Sequence, residues 1–196
     1  MRRAAAILLL VLLAACGGRA LFPSETNGRA AWDSRPEGRA WTQMTRLALD
    51  SEGANLMAAT PGDVNAFCPN YAALEPSGRR EFWAMLVSEI AAAESGLDPA
   101  AVKGPRRGLL GISPDAARGY GCANVGVAQL NDPQTNLACG VRILAATAGR
   151  DGLVSGYTAQ GWRGAGRFWT SLRRPEAIAD LQQHLNDQSF CRRRTA

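Results

Sequence analysis

A chain of 196 residues with 46% hydrophobic and 20% charged side chains is long enough to bury one proper core and too short for two large domains. Its 22 basic residues, Arg2 and Arg3 among them, barely exceed its 17 acidic ones. The main basic cluster, Arg192 to Arg194, reads as a solvated end rather than as the aromatic-interleaved surface of a nucleic-acid binder. One histidine, His184, and the lack of any Cys-x-x-Cys spacing argue against a metal site.

The N-terminus, MRRAAAILLLVLLAACGG, joins two arginines, an uninterrupted apolar run and small residues, the three regions of a secretory leader over residues 1–15. The run is too short to span a bilayer as a mature helix. Leu13, Ala14, Ala15 and Cys16 resemble the lipobox of bacterial lipoproteins, which implies a lipidated Cys16 as first mature residue. Gly17, where an aspartate would imply retention at the inner membrane, implies the periplasmic face of the outer membrane. Residues 16–40 mix Gly, Pro, Ser and charge without hydrophobic period and read as a flexible tether, leaving 41–196 as the folded domain. With Cys16 set aside, Cys68, Cys122, Cys139 and Cys191 are an even number in an oxidising compartment and predict two disulfides. Of the three possible pairings, the expected ones are Cys122 with Cys139, a short loop, and Cys68 with Cys191, which ties the domain's start to its end.

After residue 40 helical patterns take over. RAWTQMTRLALDSEGANLMAA spaces Trp41, Met44, Leu47 and Leu49 for one buried side, with a weak point at Gly53. SGRREFWAMLVSEIAAAES is the strongest helix, with Ser77 as candidate N-cap. Asp98-Pro99, Ser113-Pro114 and Asp132-Pro133 each place a capping residue before a proline, the signature of a helix start. The third of these helices carries Leu137, Val141 and Leu144 and stops at Gly149. Trp162, Phe168, Trp169 and Leu172 suggest a further helix, and a last one from Pro175 carries Ile178, Leu181 and Leu185. Period-two runs are scarce, so the fold class is all-α, with about seven short helices.

One carboxylate stands out. At about 100° per residue, Glu94 continues the stripe of Trp83, Val87 and Ile90, whereas Glu81 faces the opposite side and Glu89 the margin. An acid there is desolvated, the setting in which a carboxyl group can serve as proton donor near neutral pH. Alternatively Gly96 ends the helix so early that the side chain escapes over its last turn.

The ordered segments AESGLDP, RGLLGISPDAARGYG and DPQTNLACGVRIL resemble the soluble-type lytic transglycosylases, with their goose-lysozyme-like helical domain, over roughly residues 65 to 172. That family shows Glu-Ser at a helix end, then Gly-Leu-x-Gln-[Ile/Leu]-x-Pro, then Asp-Pro-x-x-Asn at a helix start, then a late tyrosine. The resemblance implies that Glu94 is the sole catalytic acid and base in cleaving the β-1,4 bond from N-acetylmuramic acid to N-acetylglucosamine. A 1,6-anhydromuramyl product would form without a second carboxylate, an exception to the two-carboxylate pattern. It implies that Ser95 steadies the site or the acetamido group, and that Gly108, Leu109, Leu110, Gly111, Ile112 and Pro114 form the wall beneath the sugar. Asp98 and Asp115 read as caps or first-turn charges. Two departures matter: the family's glutamine falls on Gly111, and its late tyrosine falls on Phe168 or is supplied by Tyr157. The implied partner is the peptidoglycan strand, with no cofactor, and the chain is expected to be a monomer. The rival expectation is a peptidoglycan-binding lipoprotein of the same fold, chemically weakened at Gly111 and Phe168.

Overall fold

The computed structural model describes residues 28–122 and 125–192. The leader, the lipidation site Cys16, the first part of the expected tether and Arg193 and Arg194 lie outside the described residues.

The first expected helix forms and breaks at its glycine: α1 runs Gly38–Glu52 and α2 Ala54–Ala58. The inward stripe of α1 is Trp41, Thr45, Ala48 and Leu49, an i, i+4, i+7, i+8 set. Leu47, expected on that side, lies off it and is exposed.

Helix α3 (Pro76–Ser95) is the axis of the domain. Pro76 takes the first helical position behind an extended Glu75, so the helix starts ahead of Ser77, which does not cap it. Phe82, Trp83, Met85, Leu86, Val87 and Ile90 are all fully buried. A helix apolar on nearly every face belongs in the middle of a fold, and α1, α6 and α7 pack around it. Two of its acids pair with that surrounding layer. Glu81 accepts two bonds from Arg46 of α1, at 2.7 and 2.8 Å, and Glu89 lies 3.1 Å from His184 of α7.

Ser113 caps α4 (Pro114–Gly119), accepting the Ala116 N–H at 3.2 Å. After α5 (Val127–Leu130) comes α6 (Pro133–Leu144), capped by Asp132, which accepts the Thr135 N–H at 2.8 Å. Helix α6 widens into a π turn over Ala145–Gly149, and α7 (Pro175–Asn186) buries Leu181 and Leu185. The described residues thus hold seven α-helices in a mainly helical fold.

Two expected helices are absent. Asp98-Pro99 makes only a turn, because the residues that follow pair as β1 (Val102–Lys103) with β2 (Arg106–Arg107). The aromatic stretch at 162–172 instead leaves a second hairpin, β3 (Ser155–Thr158) with β4 (Gly161–Gly164), and passes through two 3-10 turns. Gly164 explains the choice: at φ +62, a Cβ there would meet the Val154 carbonyl oxygen at 2.4 Å, a path only glycine can take.

Ordered contacts begin ahead of residue 41. Trp32 is fully buried, donates its indole N–H to Thr42 at 2.8 Å and meets Trp41 edge-on at 5.9 Å. Gln188 and Ser88 accept the N–H groups of Arg29 and Ala31 at 2.8 and 2.9 Å. Residues 28–40 therefore belong to the domain: a single tryptophan anchors a stretch whose Gly, Pro and charge read as linker. Both disulfides form with the expected partners, Cys68–Cys191 and Cys122–Cys139. In the chain-entropy account they stabilise by about 3 kcal/mol for the short loop and nearly 5 for the long one.

Candidate active site

Helix α3 ends one residue past Glu94, yet the glutamate does not escape to water: it is 5% exposed. The reason lies in the next two residues. Gly96 and Leu97 are both left-handed, at φ +65 and +64, and a leucine so placed costs about 1–2 kcal/mol. Together they reverse the chain, so that the β1–β2 hairpin folds back over the helix end. Lys103 then donates its ammonium to the main-chain carbonyl of Glu94, a cation where the helix dipole favours one.

The carboxylate accepts two side-chain hydrogen bonds. Arg106 of β2 reaches Oε2 through Nη1 at 3.1 Å, and the Ser171 hydroxyl, from the 3-10 turn over Thr170–Arg173, donates to Oε1. Among the described residues these are its polar side-chain partners, and neither is a carboxylate.

The wall beside it is shaped by one buried amide. Arg107 and Ile112 exchange both backbone bonds at 3.0 Å, closing a tight loop across Gly108 and Gly111. Asn136 of α6, fully buried, holds that loop in place. Its Oδ1 accepts the Leu110 N–H at 2.8 Å, and its Nδ2 donates to the carbonyls of Arg107 at 3.0 Å and Leu130 at 2.9 Å. Gly108, at φ +73, lets the amide in: a Cβ there would sit 2.4 Å from Nδ2. Gly111, at φ +58, faces the carboxylate, and a Cβ there would sit 3.0 Å from Oε2 and 3.8 Å from Arg106 Cδ.

The residues expected at the site divide. Gly111 lies against Glu94, and Ile112 is buried beside it in the loop. Leu110 is a core residue, not a wall: its side chain packs over Gly140 of α6, and its carbonyl accepts the Trp169 indole N–H at 2.9 Å. Ser95 donates back to the Ala91 carbonyl at 2.9 Å, as helical serines do. Neither candidate for the late tyrosine bonds to Glu94. Phe168 is wedged edge-on between Tyr120, at 5.6 Å, and Trp169, at 4.8 Å. Tyr157 is 71% exposed on β3, beside Trp162 at 5.4 Å. The hydroxyl that does reach the carboxylate is Ser171, three positions beyond Phe168. Ser171 and Arg106 are the contacts that sequence patterns missed. The only pointers were a hydroxyl in RFWTSLR and a guanidinium in GPRRG, neither with a period or motif to single it out.

Two aspartates fix the second hairpin, which leads to Ser171. Asp63 accepts the N–H groups of Val154 and Ser155 at 2.6 and 3.0 Å, and burial raises its pKa despite those bonds. Asp151 binds the Arg167 guanidinium at 2.8 and 3.0 Å and the Gly164 N–H at 3.0 Å. Burial pushes Asp151 upward, but those bonds outweigh it and the net shift is downward. A separate depression of about 390 Å³, between Glu52, Val125, Asp132 and Arg142, does not include Glu94 in its lining. Among the described residues no group of three or more His, Cys, Asp or Glu could hold a metal ion.

The family model described as the transglycosylase SLT domain matches residues 72–159, which include Glu94, the loop at Gly111 and Asn136. No curated protein matches. Among solved structures, wild-type Bd0314 DslA is 31% identical and superposes with a TM-score of 0.78 over 84% of this chain and 98% of its own. Two glutamate-to-glutamine mutants of the same protein give 30% identity, TM-score 0.78 and coverages of 85% and 99%, and 31%, 0.80, 86% and 100%. A fold and sequence shared over nearly the whole of those chains, with the family's own signature spanning the buried glutamate, make this chain a member of the transglycosylase SLT domain family.

Proposed function

We propose that the protein is a peptidoglycan lytic transglycosylase in which Glu94 is the single acid and base. Glu94 gives its proton to the glycosidic oxygen between N-acetylmuramic acid and N-acetylglucosamine as the bond to the anomeric carbon breaks. The resulting carboxylate takes the proton of the muramyl 6-hydroxyl as that oxygen bonds to the same carbon, giving the 1,6-anhydro sugar and restoring the acid. The supporting observation is a buried carboxylate that, among the described residues, is held by a hydroxyl and a guanidinium. The exposed Tyr157 beside Trp162 offers an aromatic surface for the strand.

We further propose that the chain works as a monomer on the periplasmic face of the outer membrane, anchored through a lipidated Cys16. The two disulfides are consistent with an oxidising compartment. A binding-only reading has one observation in its favour, the glycine at 111 where the family carries an amide.

The test is mass analysis of fragments released from purified peptidoglycan. Anhydromuropeptides support the proposal, products heavier by one water indicate a hydrolase, and sedimentation with the sacculus without release indicates a binder. Glu94→Gln should abolish release and leave sedimentation intact; release by that variant would move the acid elsewhere.

A further inference from the structure

We propose that Arg106 and Ser171 divide the two oxygens of Glu94: Arg106 holds Oε2 as a permanent acceptor, and the proton that moves in catalysis is carried by Oε1, on the Ser171 side. The inference rests on reading Glu94 as the acid and base.

The argument is one of donors and acceptors. A guanidinium has five N–H donors, no acceptor and no accessible neutral form. Nη1 of Arg106 stands 3.1 Å from Oε2, so a proton on Oε2 would set donor against donor in a site that is 5% exposed. A serine hydroxyl carries one donor and two acceptor lone pairs and rotates freely. Across its contact with Oε1 it can donate when Glu94 is ionised and, by turning, accept Oε1–H when Glu94 is neutral. Both charge states then leave both carboxyl oxygens partnered, which a buried acid that must change state twice per turnover requires.

Gly111 makes this division possible. A side chain there would start 3.0 Å from Oε2 and 3.8 Å from Arg106 Cδ, in the space through which the guanidinium approaches. An amide at that position, able to give or accept, would leave the proton free to sit on either oxygen; a donor-only cation does not. Arg106 is thus a positioning residue: it acts through Glu94, fixes which oxygen faces the scissile bond and keeps its own protons throughout. The glycosidic oxygen must accordingly approach from the Ser171 side.

Infrared spectroscopy of the full chain tests the assignment. The carboxyl C=O band of neutral Glu94 is identified as the one lost in Glu94→Gln. If Oε1 carries the proton, the C=O oxygen is Oε2, and removing its donor in Arg106→Ala raises the band frequency more than Ser171→Ala does. The opposite order puts the proton on Oε2 and overturns the proposal. Arg106→Met, nearly matched in volume, replaces Arg106→Ala if the latter is unstable. Kinetically, both Arg106→Ala and Ser171→Ala should lower kcat by roughly 10- to 100-fold with KM within about twofold, since each removes one bond to the reacting group and none to the strand. Ser171→Thr, which keeps the hydroxyl, should recover most of the loss. Unchanged kcat in both alanine variants while Glu94→Gln is inactive overturns the division of oxygens and leaves the activity standing. Release by Glu94→Gln, or no band assignable to Glu94 at any pH where the fold persists, overturns the reading of Glu94 itself.

Discussion

Asn136→Ala is the sharpest test of how the wall beside Glu94 is built. The amide makes three hydrogen bonds at 2.8–3.0 Å from a fully buried position. The net loss is about 1 kcal/mol per bond, and the buried Leu110 N–H left without its acceptor adds about 1–3 kcal/mol. The sum, about 4–6 kcal/mol, lowers Tm by roughly 10–20 °C at the 2–4 °C per kcal/mol usual for this chain length. Asn136→Asp is the control. It keeps an acceptor for Leu110 but turns an oxygen toward the carbonyls of Arg107 and Leu130, so it should be at least as damaging as alanine. Calorimetry gives Tm, and fragment release well below Tm gives activity, which should fall because the loop carries Gly111 and adjoins Arg106. A Tm loss under about 4 °C for alanine, or an aspartate variant as stable as the parent, would refute the idea that one amide sets this loop.

Gly111→Gln, which restores the family's residue, should reduce activity: the left-handed backbone costs about 1–2 kcal/mol, and its Cβ would crowd the Glu94 carboxylate at 3.0 Å. A gain in fragment release would show that Gly111 is a simple loss rather than an accommodation of Arg106. Replacing Cys122 and Cys139 together by serine should cost about 3 kcal/mol, read as a lower urea midpoint; an unmoved midpoint would show that the bridge constrains nothing in the unfolded chain. Asp151 lies below its ordinary value of 3.8, so its share of stability is full above that value and lost as pH falls through its folded value. Asp63 lies above 3.8, so its share is full below that value and lost as pH rises through its folded value. Urea midpoints of Asp151→Asn and Asp63→Asn, each subtracted from the parent's between about pH 2 and 7, should therefore slope in opposite directions, and parallel slopes would contradict the assignments.

The helices were legible because their signals are local. Gly53 splits α1 from α2, and Ser113 and Asp132 cap the helices that Pro114 and Pro133 begin. The motif Asp-Pro-x-x-Asn was legible as a pattern but not as a mechanism. Only the fold brings Asn136 to the carbonyls of Arg107 and Leu130 and the N–H of Leu110. Elements decided by long-range fit misled. Asp98-Pro99 has the chemistry of a helix start and loses to strand pairing at Val102, and the aromatics from Trp162 to Leu172 have apolar spacing but a chain path dictated by Gly164. Trp32 was hidden for a related reason: an isolated aromatic among polar residues has no period, and its burial depends on Trp41 and Thr42 waiting on α1.

The burial of Glu94 follows a different logic from its position in the stripe. Since α3 is buried on almost every side, falling in line with Trp83, Val87 and Ile90 distinguishes Glu94 from its neighbours less than periodicity alone implies. What distinguishes it is that the helix ends beneath it and the chain turns back through two left-handed residues to cover it with Arg106. A buried carboxylate must be partnered from somewhere, and that requirement acts on the two oxygens, not on any one sequence position. The family's glutamine and late tyrosine are absent from positions 111 and 168. Yet a guanidinium from the preceding hairpin and a hydroxyl three residues beyond Phe168 occupy both oxygens. Departures from a motif at a buried charge therefore have to be judged by whether that charge is still partnered, because an isolated loss would leave several kcal/mol of uncompensated desolvation, whereas a loss matched by a nearby gain leaves the charge satisfied by different groups.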